Sequence, residues 1–79
     1  MRQLEVIRLS ALGHTQEEIG HEMALSKKTV ERHACDLRLL LGARNMSHAI
    51  VISIASGYLE LGDDGVPQIA QYGEILLTA

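Results

Sequence analysis

Apolar residues recur at helical spacing in four separate segments of the chain. The first segment runs from about residue 2 to residue 12, and its charged side chains lie opposite an apolar stripe. Gly13 follows the segment and favours a helix stop there, because glycine readily adopts the left-handed conformation that ends many helices. The pattern therefore predicts an amphipathic helix whose stripe consists of Leu4, Val6, Ile7 and Ala11.

A short second helix is predicted after this stop. Thr15 and Glu18 have the spacing of a capping box, which opens a helix. The helix is predicted to bury Ile19 and Met23 and to end near Ala24-Leu25. Gly20 lies inside it, although glycine costs about 1 kcal/mol relative to alanine in a helix. Its presence predicts that another backbone passes close to Gly20, with room for a methyl group but not for a larger side chain.

The third segment has the clearest amphipathic pattern in the sequence. Ser26 is a good helix cap, the residues from Lys27 to Thr29 form the first turn, and Gly42 ends the helix. Its apolar side is predicted to contain Val30, His33, Ala34, Leu37 and Leu41. The opposite side is predicted to present Lys28, Glu31, Arg32, Cys35 and Leu39 to solvent.

The fourth segment is apolar on nearly all sides. Ser47 is predicted to cap a helix from His48 to about Ser56. The β-branched residues between these ends are also compatible with a buried strand. A single strand would have no partner here, so a helix is the better interpretation.

The remainder of the chain is an acidic tail, predicted to span residues 60–79. Asp63 and Asp64 lie between two glycines, which indicates a turn. Pro67 suits the first turn of a short docking helix from about residue 67. The apolar side of that helix would contain Ile69, Tyr72, Ile75 and Leu76, and a frayed C-terminus is the equal alternative.

Composition narrows the class of protein. The 79 residues suffice for one domain, and the core must be aliphatic because the chain has no tryptophan or phenylalanine. A single cysteine, Cys35, excludes an internal disulfide and a cysteine-based zinc site. No apolar run is long enough to span a membrane, so a cytoplasmic protein is expected. No residue pattern indicates a catalytic site, a metal site or a cofactor, and we expect no enzymatic activity.

Charge is unevenly distributed along the chain. The net charge is −3, yet all seven basic residues lie within residues 1–57, which sum to about +1. Residues 58–79 contain four acidic residues and no basic residue. The overall charge does not favour general attraction to nucleic acid, and the chain is a near-neutral domain followed by an acidic tail.

Two short helices joined by a tight turn form a helix-turn-helix, and here the sequence resembles a known family. Residues Gln16 to Gly42 resemble the DNA-binding domain of LuxR/FixJ/GerE-type regulators. The resemblance covers about residues 2–59, so we predict a helix-turn-helix domain over residues 1–59. Its motifs are Glu18-Ile19-Gly20, Lys28-Thr29-Val30, His33, Leu37 and Leu41-Gly42-Ala43.

The resemblance implies an all-α, compact four-helix domain that acts as a homodimeric, sequence-specific DNA-binding transcriptional regulator. It implies that the third helix enters the major groove of double-stranded DNA. The residues expected to contact DNA are Lys27, Lys28, Thr29, Glu31, Arg32, Cys35 and Arg38, with Glu31 and Cys35 tuning the choice of base. The resemblance also implies that the fourth helix forms a homodimer contact, and the residues expected at the dimer interface are Ile50, Val51, Ile54 and Tyr58.

The predicted recognition helix departs from the family pattern in its charge. Family members often carry lysine or arginine at the positions of Glu31 and Cys35, and frequently a basic residue at the position of Leu39. These departures favour a second hypothesis, in which the protein acts through contacts with another regulatory protein and binds DNA weakly or not at all. The acidic balance of the chain and the apolar pair Leu39-Leu40 support that alternative.

Overall fold

The computed structural model describes residues 2–71, and within them the chain forms four helices and one small hairpin. The helices are α1 (Arg2–Ala11), α2 (Gln16–Met23), α3 (Lys27–Leu41) and α4 (Met46–Ala55). The strands are β1 (Leu59–Leu61) and β2 (Pro67–Ile69). The predicted all-α fold class is confirmed, and the hairpin is a small addition at its C-terminal end. No helix among the described residues is long and apolar enough to cross a membrane.

The core is aliphatic and consists of two groups of side chains on either side of α1. The first group joins α1 to α3, α4 and β1, and the second joins α1 to α2 and α3. Since α3 contributes to both groups, its orientation is fixed along most of its length. The first group contains Leu4, Ile7, Leu37, Ala49 and Leu59, and the second contains Val6, Leu9, Ile19, Val30 and Ala34.

The fourth helix begins earlier than its sequence signals suggested. Asn45, not Ser47, is the N-cap, and its side-chain Oδ1 accepts a hydrogen bond from the backbone N–H of His48 at 2.9 Å. The prediction was wrong because two good capping residues lie two positions apart. Met46 packs against both parts of the core, so the earlier start buries an apolar side chain.

The hairpin continues the fold beyond the helices. The strands β1 and β2 pair antiparallel, with Leu59 opposite Ile69. Leu59 is fully buried and Ile69 packs against the same core group, so the hairpin covers the side of the molecule formed by α1 and α4. The boundary predicted between the helix-turn-helix domain and the acidic tail, after residue 59, therefore falls inside β1.

The predicted turn in the tail is confirmed, but the start of the predicted docking helix is not. The Gly65 N–H donates to the Gly62 carbonyl at 2.8 Å, and the Asp64 side chain accepts from the Val66 N–H at 3.0 Å. Residues Pro67–Ile69 form a strand because their apolar side chains pack onto the domain while their backbone pairs with β1. The remainder of that predicted helix, from Tyr72 onward, lies outside the described residues.

Candidate nucleic-acid interface

A turn of three residues joins α2 to α3 and sets the angle between them. Ala24 ends α2 in the left-handed conformation at φ 55°, which is unusual for a residue with a side chain. Leu25 then packs against the core, and its N–H donates to the Gly20 carbonyl at 2.8 Å. No sequence signal indicates the left-handed residue, since alanine has no preference for that conformation. The turn is nevertheless anchored at both ends, so α3 is held rigidly against α2.

Gly20 makes the close approach that the sequence predicted, but the space is smaller than expected. A Cβ atom on Gly20 would lie 2.7 Å from the backbone carbonyl oxygen of Leu25. The expectation that a methyl group would fit is therefore wrong, because a backbone atom in an anchored turn has little freedom to move.

We expect Gly20→Ala to destabilise the domain by about 1–2 kcal/mol, because a clash with a backbone atom places the cost of overpacking in the upper part of its usual range of about 1–3 kcal/mol. A gain in helix propensity of at most about 1 kcal/mol offsets part of this cost. Urea unfolding followed by circular dichroism measures the change, and Glu22→Ala on the exposed side of the same helix is the control. An unfolding midpoint equal to or above that of the wild type would show that the turn adjusts freely.

The predicted capping box at the start of α2 is present. The Thr15 side chain accepts from the Glu18 N–H at 3.2 Å, and the Thr15 N–H donates to the Glu18 carboxylate at 2.8 Å. These two bonds satisfy backbone groups that the first turn would otherwise leave unpaired. The backbone hydrogen bond from Thr15 is the main reason why the pKa of Glu18 is lowered from its ordinary value, and the Thr15 side chain adds to this effect.

This shift predicts a dependence of stability on pH. A carboxyl group whose pKa is lower in the folded state stabilises the fold above its unfolded pKa, about 4.3, and loses that contribution as the pH falls through the folded pKa. We expect Glu18→Gln to reduce the loss of stability in this acid range. The matched control is Glu17→Gln, which removes a carboxylate from the same turn but leaves the capping box intact. Identical acid unfolding curves for wild type and Glu18→Gln would contradict the prediction.

The N-terminus of α3 is fixed by the predicted cap. The Ser26 hydroxyl accepts from the Thr29 N–H at 3.1 Å and lies 2.9 Å from the Thr29 hydroxyl. Thr29 is half-buried, and both its backbone N–H and its hydroxyl are within hydrogen-bond distance of the Ser26 hydroxyl. At the other end Gly42 adopts φ 68° and closes the helix. The 15-residue helix is therefore capped at both ends, as the sequence predicted.

The side of α3 that faces solvent matches the helical periodicity of the sequence. All five residues expected to point outward are exposed, namely Lys28, Glu31, Arg32, Cys35 and Leu39. We call these five residues the outer face of α3. Of the other candidate DNA contacts, Lys27 is exposed, whereas Arg38 is half-buried. A shallow depression at the N-terminal end of this face is lined by Ser26, Lys28, Thr29, Glu31 and Arg32.

The four residues expected at a dimer interface divide into two pairs. Val51 and Ile54 are 63% and 37% exposed on α4. Ile50 and Tyr58 are half-buried and pack against the core of their own protomer. The structure therefore leaves Val51 and Ile54 as the large apolar side chains that α4 offers to another molecule.

The histidine and cysteine side chains do not form a metal site within residues 2–71. No group of three or more potential ligands comes together there. His33 is half-buried on α3, as its position in the apolar pattern suggested, and its Nδ1 atom is buried without a hydrogen-bond partner. Cys35 is an exposed free thiol on the outer face of α3.

Comparison with known proteins agrees with this geometry. The family described as "Bacterial regulatory proteins, luxR family" matches residues 1–53, which include all four helices except the last two residues of α4. The spore germination protein GerE of Bacillus subtilis (strain 168) is 37% identical over 60 residues, which cover 76% of this chain and 81% of GerE. No solved structure matches the chain at a significant level.

Longer regulators match over the same region. The transcriptional activator protein PhzR of Pseudomonas fluorescens is 36% identical over 58 residues, and the uncharacterized transcriptional regulatory protein YvfU of Bacillus subtilis is 34% identical over 59 residues. The matches cover 73% and 75% of this chain but only 24% of PhzR and 30% of YvfU. The family match and the helix-turn-helix together show that the chain belongs to the luxR family of bacterial regulatory proteins, which are transcription regulators and not enzymes.

Proposed function

We propose that this protein regulates transcription by binding double-stranded DNA as a homodimer, with α3 in the major groove of each half-site. The observation that carries the proposal is the outer face of α3, which presents cationic and hydrogen-bonding side chains on a helix capped at both ends. A helix of this kind fits the major groove, and a helix-turn-helix brings the N-terminal part of its second helix to the base edges. The names of its relatives PhzR and YvfU support a role in transcription.

Contact with the DNA backbone is assigned to the cations near α3. Lys27 and Lys28 lie in the first turn, where the helix dipole also favours a phosphate. Thr29 supports these contacts through its hydrogen bonds to the cap residue Ser26. Arg38 lies in the last turn of α3, where its half-buried side chain can reach a second stretch of the DNA backbone. Three cationic phosphate contacts per protomer would give a salt dependence with a slope of about −2.7. We therefore expect moderate affinity that falls as salt is added.

Base recognition is assigned to three residues in the middle of the outer face. Arg32 is exposed and can donate two hydrogen bonds to the O6 and N7 atoms of guanine. Glu31 and Cys35 lie together on one side of Arg32 on the helix surface and tune the choice of base. Cys35 is small and only weakly polar, so it suits contact with a thymine methyl group.

Dimerisation is assigned to α4 through Val51 and Ile54. Two copies related by a two-fold axis would bury these side chains against each other and present two α3 helices to two half-sites. Transfer of each side chain from full exposure to burial is worth about 1.5–3 kcal/mol, and both side chains are already partly covered. Association costs about 4–15 kcal/mol, so we expect a weak dimer in free solution that is completed on DNA.

The test of this proposal is selection of binding sites from randomised duplex DNA, followed by measurement of affinity at two salt concentrations. We expect a two-fold symmetric site, and a loss of affinity between low and moderate salt. Light scattering at high micromolar concentration should detect self-association of the free protein. Absence of any DNA binding at low salt would overturn the proposal.

A second function is favoured by one observation. Leu39 and Leu40 are 77% and 60% exposed at the C-terminal end of α3, which is a large apolar surface for a DNA-binding helix. If the protein acts by docking onto another regulatory protein, this pair is the expected contact. The salt dependence of the binding affinity distinguishes the two functions. Affinity for DNA falls steeply as salt is added, whereas the affinity of an apolar protein contact does not.

A further inference from the structure

We propose that Glu31 selects a cytosine in each half of the DNA site by accepting a hydrogen bond from the cytosine N4 amino group. The inference rests on the proposed function, because it requires the outer face of α3 to lie in the major groove. The inference names a base that the protein prefers, which the residue types of the outer face of α3 do not by themselves identify.

The position of Glu31 makes its carboxylate available to a base edge. Glu31 lies in the second turn of α3, is exposed, and borders the depression at the N-terminal end of the outer face. Within residues 2–71 its carboxylate takes part in no hydrogen bond or ion pair, unlike the carboxylates of Glu5 and Glu18. A DNA base that approaches Glu31 therefore does not have to break a bond between Glu31 and another described residue of the protein.

Neighbouring cations compensate for the repulsion between Glu31 and the phosphates. Lys28 lies three residues before Glu31 and Arg32 directly follows it, and both are exposed beside the same depression. A helix surface places residues three apart side by side, so Lys28 can contact a phosphate while Glu31 reaches the floor of the groove. Glu31 thus contributes little to affinity and acts chiefly on the choice of base.

Hydrogen-bond chemistry then favours one base over the other three. An ionised carboxylate only accepts hydrogen bonds. In the major groove guanine presents two acceptors, thymine presents an acceptor and a methyl group, and adenine presents its amino group beside an acceptor. Cytosine presents its amino group as a donor, so it alone offers the carboxylate a donor without an adjacent acceptor on the same base. Glutamine has the same shape as glutamate but can pair with both groups of adenine.

The experiment compares the sites selected from randomised duplexes by wild type, Glu31→Gln and Glu60→Gln. The control Glu60→Gln removes the same charge from an exposed residue of β1, away from α3. We expect wild type and the control to select cytosine at one fixed position in each half-site. Replacing that cytosine with thymine should weaken wild-type binding by about 5–150-fold per half-site. Glu31→Gln should select adenine at that position, or no base, and keep the rest of the site.

The outcomes separate this inference from the proposed function. If wild type and Glu31→Gln select the same base at every position with equal strength, Glu31 does not read a base and the inference is overturned while DNA binding stands. The inference is also overturned if the position that responds to Glu31→Gln is not cytosine in the wild-type site. If wild type selects no sequence even at low salt, the proposed function itself fails.

Discussion

Val51→Glu is expected to lower the affinity for DNA carrying two half-sites by about 100-fold or more, with little change in affinity for a single half-site. Linking two binding events typically raises overall affinity by about 100-fold to 10,000-fold, and in the proposed dimer the link is the contact between two α4 helices. In the proposed dimer Val51 of α4 is part of the apolar contact with the second copy, so the variant would place a carboxylate from each copy in that contact. Both desolvation and repulsion oppose that arrangement.

The measurement is titration of DNA fragments with one or two half-sites, using a mobility shift that resolves single and double occupancy. Val66→Glu is the matched control, because it makes the same chemical change at another exposed valine, in the loop of the hairpin and not on α4. Since Val51 is 63% exposed, the variant should remain folded, which circular dichroism verifies. If Val51→Glu still fills both half-sites cooperatively, the dimer contact lies elsewhere on the molecule.

The helix-turn-helix could be predicted from the sequence because its signals are local. Thr15 and Glu18 form a capping box, and Ser26 and Gly42 mark the two ends of α3. Each signal depends on residues within one turn of the helix, so no knowledge of the tertiary structure was needed. The same is true of the outer face of α3, whose exposure follows from the 3.6-residue period.

The hairpin could not be predicted in the same way. Each strand has three residues, which is too short for an alternating pattern to be recognised. Leu59 and Ile69 pair because both side chains pack onto the core group of α1 and α4. Such tertiary packing overrides the local preference of a segment for helix or strand. Pro67 led to the wrong prediction of a helix, because proline suits both the first turn of a helix and the start of an edge strand.

The sequence could not tell which apolar side chains in and after α4 remain exposed. Hydrophobicity identifies residues that avoid water, but it does not say whether they are covered by their own protomer or by a partner. Ile50 and Tyr58 are covered by their own core, and only the fold distinguishes them from Val51 and Ile54. Gly20 is a similar case, because the sequence indicated a close approach and only the structure shows that a carbonyl oxygen makes it.

Arg32→Ala is expected to weaken binding to the selected DNA site by about 5–150-fold, which corresponds to a loss of about 1–3 kcal/mol. Arg32 is exposed near the centre of the outer face, so its loss should remove a base contact without disturbing the core. Affinity for unrelated DNA should change less, because a residue that reads a base adds little to non-specific binding. Lys28→Ala should instead weaken all duplexes alike and reduce the salt slope by about 0.9 per protomer.

Leu39→Ala distinguishes this result from docking onto another protein. Leu39 is 77% exposed, so the variant should fold normally and retain most of its affinity for DNA. If the protein acts through DNA, a reporter of transcription in cells should respond to Arg32→Ala and hardly to Leu39→Ala. If it acts through an apolar protein contact, the order is reversed, because truncating a central apolar side chain often removes much of the affinity of such a contact. The reversed order would show that α3 acts through the apolar pair Leu39 and Leu40 and not through its cationic side chains.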